Sequence, residues 1–159
     1  MVQQRAGMIW TVNRIVALVL GIIFALLGII GFFTPAENAT GVQAILGIFD
    51  GDTVHNVLYL LTGIIGIAAA LLGGSRTFNQ IFGIFYTLIG ILGLISALYF
   101  PAGSFGTDKG LFLGLTHMNA GDHILHLITG IAAIVVGFFL AGTATHATPT
   151  AAMRDKETV

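Results

Sequence analysis

The chain of 159 residues has no cysteine, which excludes disulfides, thiolate nucleophiles and any zinc or iron–sulfur site built on cysteine. Charge is scarce as well: Lys, Arg, Asp and Glu together make up 8% of residues, against roughly a quarter in soluble globular domains. Six Lys and Arg and a net charge of −1 supply no basic patch. Nucleic acid is therefore excluded as a partner, and nothing favours a polyanionic substrate. What the chain has in their place is apolar bulk, 56% of the AVILMFWYC set, together with 22 glycines. Its solvent is the lipid bilayer rather than water.

Four stretches are long and apolar enough to span: Ile15 to Phe33, Val54 to Gly73, Phe78 to Phe100 and His123 to Gly142. At a rise of about 1.5 Å per residue each covers roughly 28 Å or more, close to the ~30 Å hydrocarbon core. Backbone N–H and C=O groups in lipid need partners within their own segment, and the alternation expected of barrel strands is missing. The first stretch is not a cleaved signal, because its apolar run exceeds an h-region and no A-x-A site follows Phe33. The expected fold is an all-α membrane protein with four transmembrane helices, as two parallel-oriented two-helix repeats. Residues 1–142 form the transmembrane domain, with halves 14–74 and 76–142, and 143–159 form a flexible cytoplasmic tail.

Basic residues sort by side. Arg5, Arg14, Arg76, Arg154 and Lys156 flank the ends expected inside, and only Lys109 lies in an outer loop. By the positive-inside rule both termini are cytoplasmic in a multi-pass cell-membrane protein. Acidic residues show the reverse bias, with Glu37, Asp50, Asp52, Asp108 and Asp122 outside and Asp155 and Glu157 inside.

The repeat is read from self-similarity. A shift of 62 lays Arg14, Gly21, Gly28 and Gly31 onto Arg76, Gly83, Gly90 and Gly93. A shift of 67 lays Thr62, Gly63, Ile64 and Gly66 onto Thr129, Gly130, Ile131 and Ala133, and Leu46-Gly47-Ile48 onto Leu113-Gly114-Leu115. Both halves enter the membrane in the same direction, so the pseudo-two-fold axis stands along the membrane normal. Pairs such as Gly21/Ala25 and Gly66/Ala70 mark helix contacts, because helices in lipid associate through close backbone approach at small residues. Val42 to Phe49 and Leu111 to Thr116 are expected at the interface as short helices or re-entrant turns. Trp10 and Tyr99-Phe100 fit the inner and outer aromatic belts. Asn38-Ala39-Thr40 is a sequon on the outer side.

The run Gly21-Ile22-Ile23-Phe24-Ala25-Leu26-Leu27-Gly28-Ile29-Ile30-Gly31-Phe32 before Pro35 resembles the opening helix of a bacterial family of small four-helix membrane proteins classed as a domain of unknown function. So do His55-Asn56 with Leu60-Leu61-Thr62-Gly63, and Asn119-Ala120-Gly121-Asp122-His123 with Leu125-His126-Leu127. The resemblance covers about residues 14 to 142. It implies the four-helix fold and brings no activity, and the chain departs from it in having Tyr59 where a histidine matching His126 is expected.

One constellation carries possible chemistry. Asp50, Asp52, His55 and Asn56 in one half, and His117, Asn119, Asp122, His123 and His126 in the other, gather where the second and fourth spans begin on the outer side. His55/Tyr59 and Asp122/His126 are each spaced i, i+4 on one helix face. Three readings follow. In the structural one, Asp52 and Asp122 cap their helices and His126 hydrogen-bonds Asp122. In the metal reading, His117, Asp122, His123, His126, Asp52 and His55 supply ligands for a divalent cation. In the tetrapyrrole reading, His126 or His55 is an axial ligand. No nucleophile stands beside a base and no H-E-x-x-H occurs, so the expectation is a non-enzymatic membrane protein. It is read as a structural or accessory subunit that self-associates or joins a membrane-protein partner in the bilayer, with a small transporter or channel as the alternative.

Overall fold

The computed structural model describes residues 9–37, 39–100 and 111–140. Arg5, Asn38, Asp108, Lys109, Arg154, Asp155, Lys156, Glu157 and the whole tail from Thr143 lie outside them. The architecture is mostly helical. Helix α1 spans Val12–Phe33, α2 Thr53–Leu72, α3 Ser75–Leu92 and α4 Ala120–Ile134, the last running on into a π-helical turn at Val135–Phe139. Three of these segments, α1, α2 and Ala120–Phe139, are long and apolar enough to cross a membrane.

Residue choice along the helices is inside-out by the standards of a water-soluble bundle. On α1, Ile15, Val19, Ile22, Leu26 and Ile29 are exposed, while Asn13, Ala17, Gly21, Gly28 and Gly31 are buried with Leu20, Phe24 and Leu27. Large apolar side chains face out and small ones face in, as packing in lipid requires. Helices α1 and α2 pack closely because their glycines bring the backbones together. A Cβ added at Gly21 would lie 2.7 Å from the Ile67 amide nitrogen and 2.9 Å from the Gly63 carbonyl oxygen. The same contact recurs between α3 and α4, where a Cβ at Gly83 would lie 2.7 Å from the Ile134 nitrogen and 3.0 Å from the Gly130 oxygen. Between the helix pairs the filling is aromatic, with Phe24 edge-on to Tyr59, Phe82 and Tyr86 at centroid distances of 4.9, 5.1 and 4.7 Å.

The third helix is shorter than the apolar run Phe78 to Phe100 leads one to expect. It ends at Leu92 with Gly93 as its C-cap, and the chain then turns through a 3₁₀ segment at Ser96–Leu98. Gly73 and Gly74, at φ 106° and 93°, make the tight reversal from α2 into α3 that a side chain would strain.

Two short β-hairpins replace the helices or re-entrant turns expected of the outer loops. Strands β1 (Gln43–Ile45) and β2 (Phe49–Gly51) pair antiparallel, as do β3 (Tyr99–Phe100) and β4 (Leu111–Phe112). Leu46-Gly47 sits at the tip of the first hairpin, with φ 55° and 67°. Leu113-Gly114, with φ 53° and 69°, turns the chain directly after β4. Two successive positive φ values mark the type I′ turn, whose twist suits a hairpin.

At the opposite end of the bundle, side chains from α1 and α3 close the last turn of α4. Asn13 Nδ2 donates to the Val136 carbonyl at 3.3 Å. Arg76 Nε and Gln80 Nε2 both donate to the Gly137 carbonyl, at 3.1 and 3.0 Å. These carbonyls belong to the helix terminus, where free acceptors need partners and a guanidinium complements the negative end of the dipole. Asn79 Nδ2 donates to Asn13 Oδ1 and to its carbonyl, both at 3.0 Å, and so links α3 to α1.

Candidate functional site: a buried polar layer

The histidines and acids singled out from the sequence do converge. Asp52 is the N-cap of α2, with Oδ1 accepting from the His55 amide at 2.9 Å. Its Oδ2 reaches into the other half and accepts from the His117 amide at 2.7 Å. Asn119 is the N-cap of α4, and its Oδ1 accepts from the Gly121 and Asp122 amides at 2.7 and 3.2 Å. Asp122 Oδ2 completes a capping box by accepting from the Asn119 amide at 2.8 Å, and it also accepts from the Asp50 amide at 3.1 Å. Asn119 Nδ2 adds bonds to Asp50 Oδ1 and the Ile48 carbonyl at 2.9 and 3.1 Å.

The pattern is reciprocal. Asp50 lies two residues before the cap of α2, and His117 two residues before the cap of α4. Each offers its amide to a carboxylate from the other half. Carboxylates near helix N-termini complement the dipole, and here the same groups also stitch the halves together.

The imidazoles are engaged too. His55 Nδ1 is 3.1 Å from the His117 carbonyl and His117 Nε2 is 3.3 Å from the Thr40 carbonyl. A carbonyl only accepts, so both of those nitrogens carry the proton. His126 Nε2 lies 2.8 Å from the Tyr59 hydroxyl, which joins α4 to α2. The expected His126–Asp122 bond is not formed. Both residues point to the other half instead, where Tyr59 occupies the position that matches His126. His123 turns away to α3, packing on Gly93, with Nε2 2.6 Å from the Tyr99 hydroxyl. Tyr99 donates to the Gly93 carbonyl at 3.1 Å, so the hydrogen in the His123 bond comes from the imidazole. Burial pushes the Tyr99 phenol pKa up to about 12, which keeps that donor proton in place. Tyr99 is fully buried and therefore no part of an interfacial belt. Only its neighbour Phe100 is exposed.

His55, His117 and His126 stand near one another while His123 packs on α3, and the tyrosines that bond His126 and His123, Tyr59 and Tyr99, were not among the candidate site residues. The available signal was the alignment of Tyr59 with His126. For Tyr99 there was none, since an aromatic pair at the end of an apolar run reads as a belt.

The layer gives the metal reading no support. Among the described residues no group of three or more His, Asp or Glu side chains is placed to hold a metal ion. The oxygens of Asp52 and the Oδ2 of Asp122 face backbone amides, and the His55 and His126 ring centroids stand 6.1 Å apart. A tetrapyrrole does not fit either. His126 has its Nε2 on Tyr59 and its ring flanked by Tyr86, Tyr59 and His55 at centroid distances of 5.0, 5.8 and 6.1 Å, and the cavity that it lines with His55 is only about 310 Å³. His55 is equally enclosed, 4.2 Å from the Tyr59 ring. What the arrangement does chemically is fix two halves in register through bonds between buried polar groups, while Asp122 Oδ1, His117 Nδ1 and His126 Nδ1 are buried without a hydrogen-bond partner among the described residues.

A family model, Domain of unknown function (DUF4383), matches residues 14–139, so the resemblance seen in the glycine-rich first helix and the two histidine elements holds. No curated protein and no solved structure matches the chain.

Proposed function

The chain belongs to the DUF4383 family, a domain of unknown function, and we propose that it is a non-enzymatic membrane protein serving as a structural or accessory component of a membrane assembly. One observation carries this reading. The polar groups are turned inward and most are bonded to one another across the two halves, while all four helices present large apolar side chains outward. A catalyst or ion pathway would keep some of those groups open to substrate or water.

In this reading α3 is a fourth span. Its eighteen residues cover about 27 Å, and Ile81, Ile84, Phe85, Leu88 and Ile91 form an exposed apolar stripe like those of the other helices. The chain is an internal duplication with parallel halves. Support comes from the matching glycine contacts of Gly21 and Gly83 and from the Leu-Gly turns at 46–47 and 113–114. The reciprocal carboxylate–amide bonds agree with it. Against the channel alternative stands the aromatic filling of Phe24, Phe82 and Tyr86 on the line between the polar layer and the Asn13–Asn79 pair.

The deciding measurement is isolation of the intact protein from its native membrane in mild detergent, followed by mass determination of the complex. A stoichiometric partner or a defined homo-oligomer is expected. A lone monomer that gives saturable solute uptake in proteoliposomes would overturn the reading.

The same reading places both termini in the cytoplasm and the hairpins outside. Ser75 is buried and unsuited to labelling, so the exposed positions Ala39 and Thr77 are the ones to use. On intact cells a cysteine at Ala39 is expected to react with an impermeant maleimide and one at Thr77 to be protected. The opposite pattern would invert the topology.

A further inference from the structure

The two Leu-Gly turns at the hairpin end of the bundle are apolar where turns are usually polar. Leu46-Gly47-Ile48, at the tip of the first hairpin, and Leu113-Gly114-Leu115, after β4, match at a shift of 67, and neither carries a polar side chain. Their four large side chains are all exposed. The interior has no place for them, because Ile45 and Phe112, one residue before each turn, are already buried in the two apolar cores. Leucine is also an unfavourable residue for the backbone here. Leu46 and Leu113 hold φ values of 55° and 53°, a region in which glycine or asparagine is usual. We propose that both turns are seated in the membrane, at the boundary of lipid headgroups and acyl chains, and anchor the hairpin end of the bundle to one leaflet.

The place of the second turn selects lipid. Leu113 and Leu115 line one cavity together with Val54 and Leu58 of α2 and Ile89 of α3. Helix α2 is among the segments able to cross a membrane, and Leu58 is exposed on it about 7.5 Å beyond its first residue. The turn therefore folds down along the side of a span, and its leucines continue an apolar surface that already faces the bilayer. The first turn rests on the other half. The Ile48 carbonyl accepts from Asn119, the N-cap of α4, and lies 2.5 Å from where a Cβ on Gly121 would stand. Ala120–Phe139 is again long and apolar enough to span. The backbone suits this setting, since the amides of Gly47, Ile48, Leu113, Gly114 and Leu115 all donate to backbone carbonyls. Lipid offers amides no partners, so irregular chain at its boundary needs such internal bonds. The assignment holds for either face of the membrane. It is also independent of the assembly reading, because a monomer would be anchored in the same way.

The test uses full-length protein in phosphatidylcholine nanodiscs, whose two faces are both open to solvent. Trp10 is the single tryptophan, so Trp10→Phe gives a dark background into which Ile48→Trp, Leu115→Trp or, as the aqueous reference, Ala39→Trp is placed. All three positions are exposed and accept the larger ring without entering the core. Emission from Ile48→Trp and Leu115→Trp is expected to be blue-shifted from that of Ala39→Trp, quenched by phosphatidylcholine brominated on its acyl chain, and shielded from iodide. Leu46→Asn with Leu113→Asn, added to Leu115→Trp, puts at both turns a residue that tolerates positive φ, so the turns still form. The double change is nevertheless expected to weaken quenching by the brominated lipid and to strengthen quenching by iodide. Iodide quenching as strong as at Ala39→Trp would put the turns in water. Shielding from iodide and brominated lipid alike would mean that protein covers them, and quenching unmoved by the two asparagines would remove the leucines as anchors. Each of these results would overturn the proposal.

Discussion

Replacing Asp122 with alanine is expected to destabilise the folded protein by about 3–5 kcal/mol, the largest loss from any single polar side chain here, because two buried bonds to one carboxyl oxygen go at once. One oxygen serves the Asn119 amide at 2.8 Å and the Asp50 amide at 3.1 Å. The first bond closes the capping box of α4 and the second ties that helix to the strand before α2. Alanine fills neither role, and both amides are left without an acceptor inside the bundle. Asp122→Asn retains an oxygen at the same place and is expected to lose no more than about half as much, since both backbone amides use a single side-chain oxygen. Asp52→Ala makes the symmetric cut, removing the acceptor for the His55 and His117 amides. Because α2 keeps no second capping group, its cost should approach that of Asp122→Ala. Equilibrium unfolding in mixed micelles, followed by circular dichroism, measures all three. A loss under about 1 kcal/mol for Asp122→Ala would mean that water, not the carboxylate, satisfies these amides, and the account of the layer as a stitch would fail.

Much of this was legible in the residues, and the parts that were not have physical reasons. The ends of α1 and α2 follow from composition, since Thr11, Asp52 and the Gly73-Gly74 pair are start and stop signals visible in the chain. The end of α3 is not, because Leu94 to Phe100 stays apolar after the helix stops and hydropathy does not register a break in hydrogen bonding. The first hairpin was hidden for a related reason. A type I′ turn is usually announced by Asn-Gly or Asp-Gly, and here Leu46 takes the first positive-φ position, as Leu113 does in the turn after β4. The clustering of His55, His117, Asp122 and His126 was legible because the i, i+4 spacing and the repeat register both pointed to it. The bonds within the cluster were not. They form between halves separated by about 67 positions, and only the fold decides that His126 meets Tyr59 in place of Asp122.

The second large effect tests the helix contacts and the duplication together. Gly21→Ala is expected to cost about 1–3 kcal/mol, the usual price of overpacking, because the added methyl meets backbone that cannot rotate aside. Its nearest neighbours are the Ile67 nitrogen at 2.7 Å and the Gly63 oxygen at 2.9 Å, so relief requires α1 to move off α2. Gly83→Ala faces the Ile134 nitrogen at 2.7 Å and the Gly130 oxygen at 3.0 Å, the same two backbone groups in the other half. The two substitutions should therefore cost nearly equal amounts. Gly63→Ala should cost more than either, as its methyl runs into the Ala25 backbone and side chain together. Ile22→Leu, on the exposed face of α1, serves as the control and should stay within about 0.5 kcal/mol of wild type. The same unfolding titration reads every variant. Equal losses at Gly21 and Gly83 would show that both helix pairs rest on one contact used twice. A tolerated alanine at either position would separate the halves energetically, and no change at both would remove close backbone approach as the force holding α1 to α2.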